Sequence, residues 1–537
     1  MLEGKTYDAV CRNFRWNIPE IYNIGVDVCD KWADSENRLA LIYVDPEEKE
    51  QRFSFQDLKI HSNRLANALR ANGLERNDRV GILLPQCPET LISHIAVYKL
   101  GCIALPLLTL FGPMAIEYRL QDSAARAVIT NPENLSKILE IRDRLPELKL
   151  ILVTGDHVDA GMMDFWKSIA DGKADFEPAP TRADDPALII YTSGTTGQPK
   201  GTLHAHRLLL GIMPGFEFYH NLFPQTGDLL YTPLDWAYIG GSYDALFPSL
   251  HHGVTVLAFR PPKFDPEKAF YMMEKYSVRN LMVVPTVLRI MMNTVSHAKT
   301  RYNVRLRSVT AGGETLGEEL YNWSRQTLGV DLNEQYGQTE CDLVIGFSCD
   351  LMKIVHGSIG KAVPGHDVAI LDVDGNIAAV GEVGEIAVRR PDPVMFLEYW
   401  NNRKATDEKF IGDWMKTGDM GRKDENGYFW FTGRTDDLIE SGGYRIGPGE
   451  IEECLMAHEA VSLVCVLGVP DPVRGQIVKA FIVPKSGFKA GQSLEESIRE
   501  HVKGKLEAHA YPRSIQFLEE MPMTKTGKIL KQKLKEL

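Results

Sequence analysis

Residues 187–201 read Ala-Leu-Ile-Ile-Tyr-Thr-Ser-Gly-Thr-Thr-Gly-Gln-Pro-Lys-Gly, a short apolar run followed by hydroxyl side chains, glycines and one lysine. The apolar run predicts a buried strand, and the glycines after it allow the backbone to come close to an anion. The hydroxyls supply hydrogen-bond donors, and Lys200 supplies a mobile positive charge. The common loop Gly-x-x-x-x-Gly-Lys-Ser/Thr does not fit, because Pro199 precedes the lysine and no hydroxyl follows it. The stretch therefore predicts a strand and a phosphate-binding loop in a different class of ATP-using protein.

The composition predicts a protein with more than one domain. The chain has 537 residues, 44% of them hydrophobic, which is more than one core normally supports. Its 60 basic and 72 acidic residues give a net charge of −12, which argues against nucleic acid as a partner. The eight cysteines lack the close pairs of a metal site, so we expect reduced thiols and a cytoplasmic location. Neither a signal peptide nor a membrane span is expected, since the most apolar stretch, 91–111, is interrupted by charged residues and proline.

Helical patterns that alternate with short apolar runs predict an α/β fold. The apolar runs 80–84 and 127–129 lie between helix-like segments. The same alternation of apolar runs and helix-like segments recurs at 281–284 and 308–311. Ligands of such sheets bind beyond the carboxyl ends of the strands. We therefore expect three polar, glycine-containing loops to face one crevice, and these are 192–201, 312–314 and 334–340.

A change to strict alternation predicts a small β subdomain within the same region. Apolar residues alternate in 368–371 and 384–388, with the turn dipeptide Asp374-Gly375 between them. A compact α+β pattern follows later in the chain. We predict a large, multi-subdomain N-terminal region of residues 1–435 and a small, mobile α+β C-terminal domain of residues 436–537.

Six short motifs occur in a fixed order along the chain. They are Tyr-Thr-Ser-Gly-Thr-Thr-Gly-Gln-Pro-Lys-Gly at 191–201, Tyr-Gly-Gln-Thr-Glu at 336–340, Thr-Gly-Asp at 417–419, Gly-Arg-Thr-Asp-Asp at 433–437, Gly-Tyr-Arg-Ile at 443–446 and Lys-Thr-Gly-Lys at 525–528. This series resembles the adenylate-forming superfamily of acyl- and aryl-CoA synthetases and luciferase-like enzymes. It is most similar to the AMP-forming short- and medium-chain acyl-CoA synthetases, and the resemblance covers nearly the whole chain. The resemblance implies that a carboxylic acid is activated by ATP and Mg²⁺ as an acyl-adenylate and then transferred to coenzyme A.

The resemblance also implies a nucleotide site. Tyr336 is expected to pack on adenine opposite residues 312–314. Asp419 is expected to accept hydrogen bonds from the ribose, with Arg434 near the ribose or phosphate. The expected ATP- and AMP-binding residues are Thr192, Ser193, Gly194, Thr195, Thr196, Gly197, Lys200, Gly312, Gly313, Glu314, Glu334, Gln335, Tyr336, Gly337, Gln338, Asp419 and Arg434.

Three residues are implied to act in adenylation, where two anions, the carboxylate and the α-phosphate, must meet. Lys528 is expected to bridge these two anions. Glu340 is expected to bind Mg²⁺, because a hard cation prefers carboxylate oxygen. Thr339 is expected to contact the α-phosphate.

The smaller domain is implied to rotate between an adenylating and a thiol-transfer arrangement, with the hinge at Asp436. Gly443 is expected to line the tunnel for the pantetheine arm. Arg445 is expected to contact substrate or phosphate. The expected coenzyme A contacts are Gly442, Gly443, Tyr444 and Arg474.

The acyl pocket is the least defined part of the site. Gly337 stands where acetate-specific relatives have a tryptophan that closes the pocket, so we expect a short- or medium-chain, branched or cyclic acid rather than strictly acetate. A pocket wall is expected at Trp236 or Tyr238. Asp342 and the cysteine before it replace the Thr-Gly that commonly follows the Thr-Glu pair. The residues that form the floor of the pocket are therefore left unassigned.

Other functions remain compatible with parts of the sequence. An adenylating enzyme that loads a carrier-protein thiol, an aryl-CoA ligase, an ATP-dependent phosphotransferase and a binding protein without catalysis are the alternatives. His204 and His206 lack carboxylate or cysteine companions, so we expect polar loop residues rather than metal ligands.

Overall fold

The mixed α/β class predicted from the sequence is confirmed. Within the described residues the chain forms four β-sheets with helices between them, in a large N-terminal and a small C-terminal part. The computed structural model describes residues 1–33, 37–155, 161–192, 198–314, 316–434, 439–441, 444–446, 448–471, 475–502, 511–523 and 529–537.

The strand that precedes the glycine-rich loop lies in an eight-stranded sheet of the described chain. This strand, Pro186–Thr192, has a buried apolar centre, as the run 187–190 predicts. It runs antiparallel to Lys200–Ala205, and Thr192 lies opposite Lys200. The strands, in spatial order, are Glu398–Tyr399, Lys200–Ala205, Pro186–Thr192, Ile103–Pro106, Arg79–Leu83, Ala127–Thr130, Leu150–Val153 and Met163–Asp164.

A second sheet carries most of the expected nucleotide residues. Its central strands are parallel and almost fully buried, which fits a sheet covered by helices on both faces. At one end Leu332–Gln338 turns into the antiparallel strand Cys341–Gly346. The strands of this sheet that the structure describes are, in spatial order, Lys361–Ala362, Cys341–Gly346, Leu332–Gln338, Ser308–Gly312, Asn280–Val283, Leu230–Tyr231, Val256–Ala258, Leu39–Val44 and Glu50–Ser54.

The predicted β subdomain is an antiparallel sheet. Val368–Leu371 pairs with Gly384–Arg389, which confirms the hairpin expected from the alternation. Its long strand Trp414–Lys423 then pairs with Phe429–Arg434. The described strands, in spatial order, are Val368–Leu371, Gly384–Arg389, Trp414–Lys423 and Phe410–Ile411, with Phe429–Arg434 beside Trp414–Lys423.

The C-terminal part has its own sheet and core. Ile451 and Leu455 of a helix pack with Val466 and Ile498, so this core is separate from those of the large sheets. The described strands, in spatial order, are Tyr444–Ile446, Ile439–Ser441, Gly475–Pro484 and Val461–Asp471, with Ser514–Phe517 beside Gly475–Pro484.

Several helices begin with proline, which lacks the backbone N–H that a first helical turn leaves unpaired. None of the helices in the described ranges combines the length and the apolar character needed to cross a bilayer. The described α-helices are Tyr7–Asn13, Ile24–Asp27, Phe55–Ala71, Pro88–Lys99, Pro113–Asp122, Pro132–Ile141, Phe165–Asp171, Leu208–Tyr219, Ile239–Gly241, Phe247–His251, Pro266–Lys275, Pro285–Thr294, Ala298–Arg301, Glu318–Trp323, Arg403–Glu408, Pro448–Met456, Gln492–Val502 and Lys531–Lys535. Short 3₁₀-helices are Asp30–Trp32 and Arg142–Arg144, and π-helices are Ser242–Leu246 and Ser324–Leu328.

Two local expectations were wrong. The segment 334–340 is not a loop, because residues up to Gln338 belong to a strand and only Thr339 and Glu340 form the turn. His204 and His206 are not polar loop residues either, since both lie fully buried on or just after the strand Lys200–Ala205. Burial lowers the pKa of each of these imidazoles to about 3, so they are neutral groups of the core.

Candidate functional site

Glu340 lies at the tip of a tight hairpin. Gln338 is opposite Cys341 in the antiparallel pair, so Thr339 and Glu340 make the connecting turn. The Glu340 side chain is 8% exposed, and its Oε1 accepts a hydrogen bond of 2.5 Å from the Tyr399 hydroxyl. The hairpin thus presents a nearly buried carboxylate whose orientation is fixed by a neutral donor.

Tyr399 connects this carboxylate to Lys200 and to the strand that Lys200 begins. The strand Glu398–Tyr399 pairs with the strand that starts at Lys200. The Lys200 ammonium lies 5.0 Å from the centroid of the Tyr399 ring, within the range of a cation–π contact. Burial, and then the charge of Glu340, raise the pKa of Tyr399 far above its usual value, so its hydroxyl stays protonated and donates.

Asp419 is the centre of a second polar cluster. It lies opposite Arg434 in the β subdomain, and the Arg434 guanidinium donates to Asp419 Oδ1 at 3.0 Å. The Tyr336 hydroxyl donates to Asp419 Oδ2 at 2.7 Å. Burial, and then the nearby charge of Asp419, raise the pKa of Tyr336 well above its usual value. Three residues expected at the nucleotide are therefore in direct contact, although they come from two different sheets.

Lys409 is a member of this cluster that sequence reasoning missed. Its ammonium donates to Gln338 Oε1 at 3.1 Å and to the Thr417 carbonyl at 3.3 Å. The Gln338 amide in turn donates to the Thr417 carbonyl at 3.0 Å. Lys409 and Tyr399 fall outside the recognised motifs, so no signal in the sequence singled them out.

The glycines at the end of Ser308–Gly312 lie beside the hairpin strand. Gly312 is paired with Gln335, and a Cβ at Gly312 would lie 2.3 Å from the Gln335 carbonyl oxygen. Gly313 has a φ of +84° and open space where a side chain would stand. The open space at Gly313 thus lies one residue beyond the Gly312–Gln335 pair, at the end of the strand.

The two glutamates expected at the nucleotide already have partners. Glu314 accepts from the Thr286 hydroxyl at 2.8 Å and from Arg289 at 3.1 Å. Glu334 accepts from the Tyr321 hydroxyl at 2.9 Å. Through these hydrogen bonds both glutamates connect the strand ends around the candidate site to neighbouring helices.

The described residues fit the groups that the family implies. A carboxylate such as Asp419 can accept hydrogen bonds from hydroxyl groups, and a carboxylate such as Glu340 is the type of oxygen ligand that Mg²⁺ prefers. In the described ranges no group of three or more His, Cys, Asp or Glu side chains lies close enough together to hold a metal ion. Tyr444 and Arg445 belong to the strand Tyr444–Ile446. The expected residues outside the described ranges are Ser193, Gly194, Thr195, Thr196, Gly197, Asp436, Gly442, Gly443, Arg474 and Lys528.

The space beside Gly337 is filled, contrary to expectation. A Cβ at Gly337 would lie 2.4 Å from the Leu343 nitrogen and 2.5 Å from Asp342 Oδ1. The hairpin is irregular between Tyr336 and Gln338, which brings the two strands together at this point. Gly337 is therefore required by close backbone packing, and the Asp342 side chain occupies the place where we expected open pocket.

Asp342 forms a carboxyl pair with Asp244 of the π-helix Ser242–Leu246. Each is 5% exposed. Burial, and then the nearby charge of Asp342, raise the pKa of Asp244 well above its usual value, and burial raises the pKa of Asp342 to about 6. Two carboxyls cannot both ionise in such a place, so they share a proton near neutral pH.

Of the two candidate wall residues, Trp236 is 1% exposed and Tyr238 is 37% exposed. Trp236 packs in the same core cluster as Met282 and Leu343. The two aromatic side chains thus have different environments, one in the core and one at the surface.

Comparison with known proteins identifies the family. Residues 29–400 match the AMP-binding enzyme family, and residues 450–528 match the AMP-binding enzyme C-terminal domain. The chain is 34% identical to an acetyl-coenzyme A synthetase of Bacillus subtilis, over 99% of this chain and 95% of that protein. It is 32% identical to the human mitochondrial acyl-coenzyme A synthetase ACSM3, over 99% of this chain and 92% of that protein.

A solved structure agrees with these relatives. The anthranilate CoA ligase AuaEII, crystallised with anthranoyl-AMP, superposes with a TM-score of 0.88 at 29% identity and covers 97% of this chain and 98% of its own. The expected motifs, the paired Asp419 and Arg434, and both family matches agree with one another. The chain belongs to the AMP-binding enzyme family and is an adenylate-forming ligase of its acyl-CoA synthetase branch.

Proposed function

We propose that the protein joins a small carboxylic acid to coenzyme A through an acyl-adenylate, with release of AMP and pyrophosphate. The observation that carries this proposal is the hairpin 332–346, which presents Glu340 at its tip and, through Tyr336, contacts Asp419. The proposed metal-binding carboxylate lies on this hairpin, and the proposed ribose acceptor lies on the strand Trp414–Lys423 of the β subdomain and is held to the hairpin by Tyr336. Groups held in place in advance favour a reaction in which two anions must meet, as in adenylation of a carboxylate.

Each residue has a proposed task. Asp419 and Arg434 orient the nucleotide, and the bound Mg²⁺ would neutralise phosphate charge beside Glu340. Lys200, at the end of the phosphate-binding loop, attracts the phosphates. Lys528 brings positive charge between the carboxylate and the α-phosphate, and Thr339 donates to that phosphate. We assign coenzyme A contacts to Gly442, Gly443, Tyr444 and Arg474, a substrate or phosphate contact to Arg445, and the hinge to Asp436.

We propose a short- or medium-chain, branched or cyclic acid rather than acetate alone. The favoured pocket wall is Trp236, which is 1% exposed and belongs to the same core cluster as Met282. Since methylene groups discriminate by only about 1–3 kcal/mol each, the pocket shape sets a range of acids and not a single one.

We also propose a boundary between the N-terminal domain and the C-terminal domain at residue 436, and a cytoplasmic location. All eight cysteines are free thiols, which fits a reducing compartment.

Exchange of labelled pyrophosphate into ATP tests the proposal. The panel runs from acetate to decanoate and includes benzoate and cyclohexanecarboxylate. Acid-dependent exchange, followed by AMP and thioester formation when coenzyme A is added, is the expected result. Exchange without thioester would indicate another acceptor, such as a carrier-protein thiol. Release of ADP and phosphate, or no exchange with any acid, would contradict the proposal.

A further inference from the structure

The helix Pro113–Asp122 lies against both ends of the proposed phosphate-binding loop. Tyr118, in its second turn, donates from its hydroxyl to the Pro199 carbonyl at 3.0 Å. One turn later, Asp122 Oδ2 accepts a hydrogen bond of 2.5 Å from the Tyr191 hydroxyl. Residues four positions apart lie on the same face of a helix. A single helical face therefore contacts the chain directly before the loop and at its far end.

Ring contacts add to these hydrogen bonds. The ring centroids of Tyr118 and Tyr191 are 6.1 Å apart with an interplanar angle of 78°, which is a favoured edge-to-face geometry. The Arg119 guanidinium lies 5.7 Å from the Tyr191 ring centroid, within the range of a cation–π contact. Burial, and then the hydrogen bond to Asp122, raise the pKa of Tyr191 far above its usual value, so its hydroxyl stays protonated and donates.

The same helix also contacts the segment that carries Tyr399. The last carbonyl groups of an α-helix have no partner within the helix. The Asp122 carbonyl accepts from Trp400 Nε1 at 3.0 Å and from Asn401 Nδ2 at 2.9 Å. The Trp400 backbone nitrogen in turn donates to the Gly201 carbonyl at 2.7 Å. Asp122 thus connects the start of the loop, through its side chain, with the segment beyond its end, through its carbonyl.

The contacts of this helix fall on residues that are next in sequence to members of the proposed site. Those neighbouring site residues are Thr192, Lys200 and Tyr399. A loop that is held in place before its ligand arrives loses less conformational freedom on binding, and its affinity for the ligand is higher. Binding groups are held in place by supporting residues of this kind, whose own side chains are fixed by packing and hydrogen bonds.

We propose that Tyr118 and Asp122 are positioning residues that hold the phosphate-binding loop for the β- and γ-phosphates of ATP. The inference rests on the proposed acyl-CoA synthetase function and adds two residues from outside the six motifs. Loss of either hydrogen bond releases one end of the loop, which must then be ordered when ATP binds. AMP lacks the β- and γ-phosphates and is held in the proposed site by Asp419 and Arg434, so its affinity should not depend on the helix.

Separate titrations with ATP and with AMP test the inference on the full chain. Dissociation constants are measured by calorimetry in the presence of Mg²⁺ and without acid or coenzyme A. Asp122→Ala and Tyr191→Phe are each expected to raise the Kd for ATP about tenfold, because the lost hydrogen bond involves a carboxylate. Tyr118→Phe should raise it about threefold, since its acceptor is a neutral carbonyl. The Kd for AMP should stay unchanged in all three variants.

A double variant and two further variants make the comparison specific. Asp122→Ala combined with Tyr191→Phe should bind ATP no more weakly than Asp122→Ala alone, since both changes remove the same hydrogen bond. Asp122→Asn keeps an acceptor oxygen and should restore most of the ATP affinity. Tyr276→Phe removes a hydroxyl bonded to Glu50 Oε2 at 2.7 Å, at the far edge of the second sheet, and should change neither dissociation constant.

The outcomes separate this inference from the proposed function. Unchanged ATP affinity in both Tyr191→Phe and Tyr118→Phe, or equal losses of ATP and AMP affinity, would overturn the positioning role alone, because acid-dependent pyrophosphate exchange by the wild type does not depend on it. Additive losses in the double variant would overturn the link between Asp122 and Tyr191. Absence of exchange with every acid would overturn the proposed function and the positioning role with it.

Discussion

Among the described residues, the hydroxyl of Tyr336 makes the shorter of the two hydrogen bonds that tie the hairpin to Asp419, at 2.7 Å against 3.4 Å for the Gln338 amide. Tyr336→Phe removes the hydroxyl that donates a 2.7 Å hydrogen bond to the Asp419 carboxylate, but it keeps the aromatic ring. A hydrogen bond to a charged group contributes about 1.5–3 kcal/mol, so the KM for ATP should rise about tenfold or more. Pyrophosphate exchange at varied ATP measures the effect. Tyr7→Phe, which removes a hydroxyl bonded to the Ala362 carbonyl, is the matched control. An unchanged KM for ATP in Tyr336→Phe, or the same change in both variants, would contradict a specific role of this donor to Asp419.

At this scale the motifs predicted some contacts and missed others. The contact of Asp419 with Arg434 joins two recognised motifs, and adjacent antiparallel strands bring them together. Lys409 contacts Gln338 across 71 positions of sequence, so no local pattern reveals it. The pairing of Asp342 with Asp244 is equally non-local and depends on how a π-helix packs on the sheet.

At the scale of elements, the short strand Glu398–Tyr399 positions the carboxylate of Glu340, the proposed Mg²⁺ ligand. Tyr399→Phe removes the 2.5 Å hydrogen bond to Glu340. We expect the Mg²⁺ concentration for half-maximal exchange to rise about tenfold, the scale of one charge-assisted hydrogen bond, with a smaller change in the rate at saturating Mg²⁺. The Mg²⁺-dependent increase in melting temperature with ATP should shrink in parallel. In Tyr428→Phe, which loses a hydroxyl bonded to the Lys353 carbonyl, neither quantity should move. An unchanged Mg²⁺ requirement in Tyr399→Phe would remove this role.

The hairpin itself gives a prediction about stability. Gly337→Ala would place a methyl group 2.4 Å from the Leu343 nitrogen, so backbone must shift. Overpacking of this kind costs about 1–3 kcal/mol of unfolding free energy. Urea unfolding measures the loss, and Gly317→Ala, with nothing within 4 Å of the new methyl, is the control. Equal stability of both variants would mean that the strands separate easily at this point.

This case also shows why the pocket was misjudged from the sequence. A glycine in a motif indicates either open space or close packing, and the residues around it do not say which. The choice is made by the irregular register between Tyr336 and Gln338 and by the positive φ of Leu343, 53°. The alternation of apolar residues predicts that the strands exist and in which order they come. It predicts neither the irregular register nor the positive φ.

At the scale of the whole molecule, buried histidines set the response to acid. Burial lowers the pKa of His94, His204, His206 and His220 to about 3, below the usual unfolded value of about 6.5. Between these values the unfolded chain binds protons that the folded chain does not. Stability is therefore fully present above about pH 6.5 and falls as the pH is lowered, by up to about 1.4 kcal/mol per unit for each histidine. Urea midpoints from pH 7 to pH 5 should show this slope.

Single variants separate the histidine contribution from that of the carboxylates. His94→Phe should reduce the slope of stability against pH. The variant lacks the imidazole that is buried and neutral in the folded protein but takes up a proton in the unfolded chain. His297→Gln, at an exposed position, should leave the slope unchanged. If His94→Phe keeps the full slope, carboxylates and not buried imidazoles dominate acid unfolding.

The overall organisation was more predictable than the site. Apolar runs identified buried parallel strands, because a sheet covered on both faces excludes polar residues along its length. The meeting of Asp419, Tyr336 and Gln338 required two sheets to pack at one defined angle. Such packing depends on many side chains at once, so it is not readable from any one segment.

The proposed division of labour between the two domains separates two half-reactions. Lys528→Ala should slow acyl-adenylate formation by about two to three orders of magnitude, because one preorganised charge is lost where two anions meet. Formation of thioester from premade acyl-adenylate and coenzyme A should continue at the normal rate, since the anions are already joined. Single-turnover assays of each half-reaction measure the split, and Lys533→Ala, an exposed lysine of the helix Lys531–Lys535, is the matched control. Equal losses in both half-reactions would mean that Lys528 contributes to folding or to binding in general and not specifically to adenylation. An unchanged first half-reaction would mean that another cation brings the carboxylate and the phosphate together.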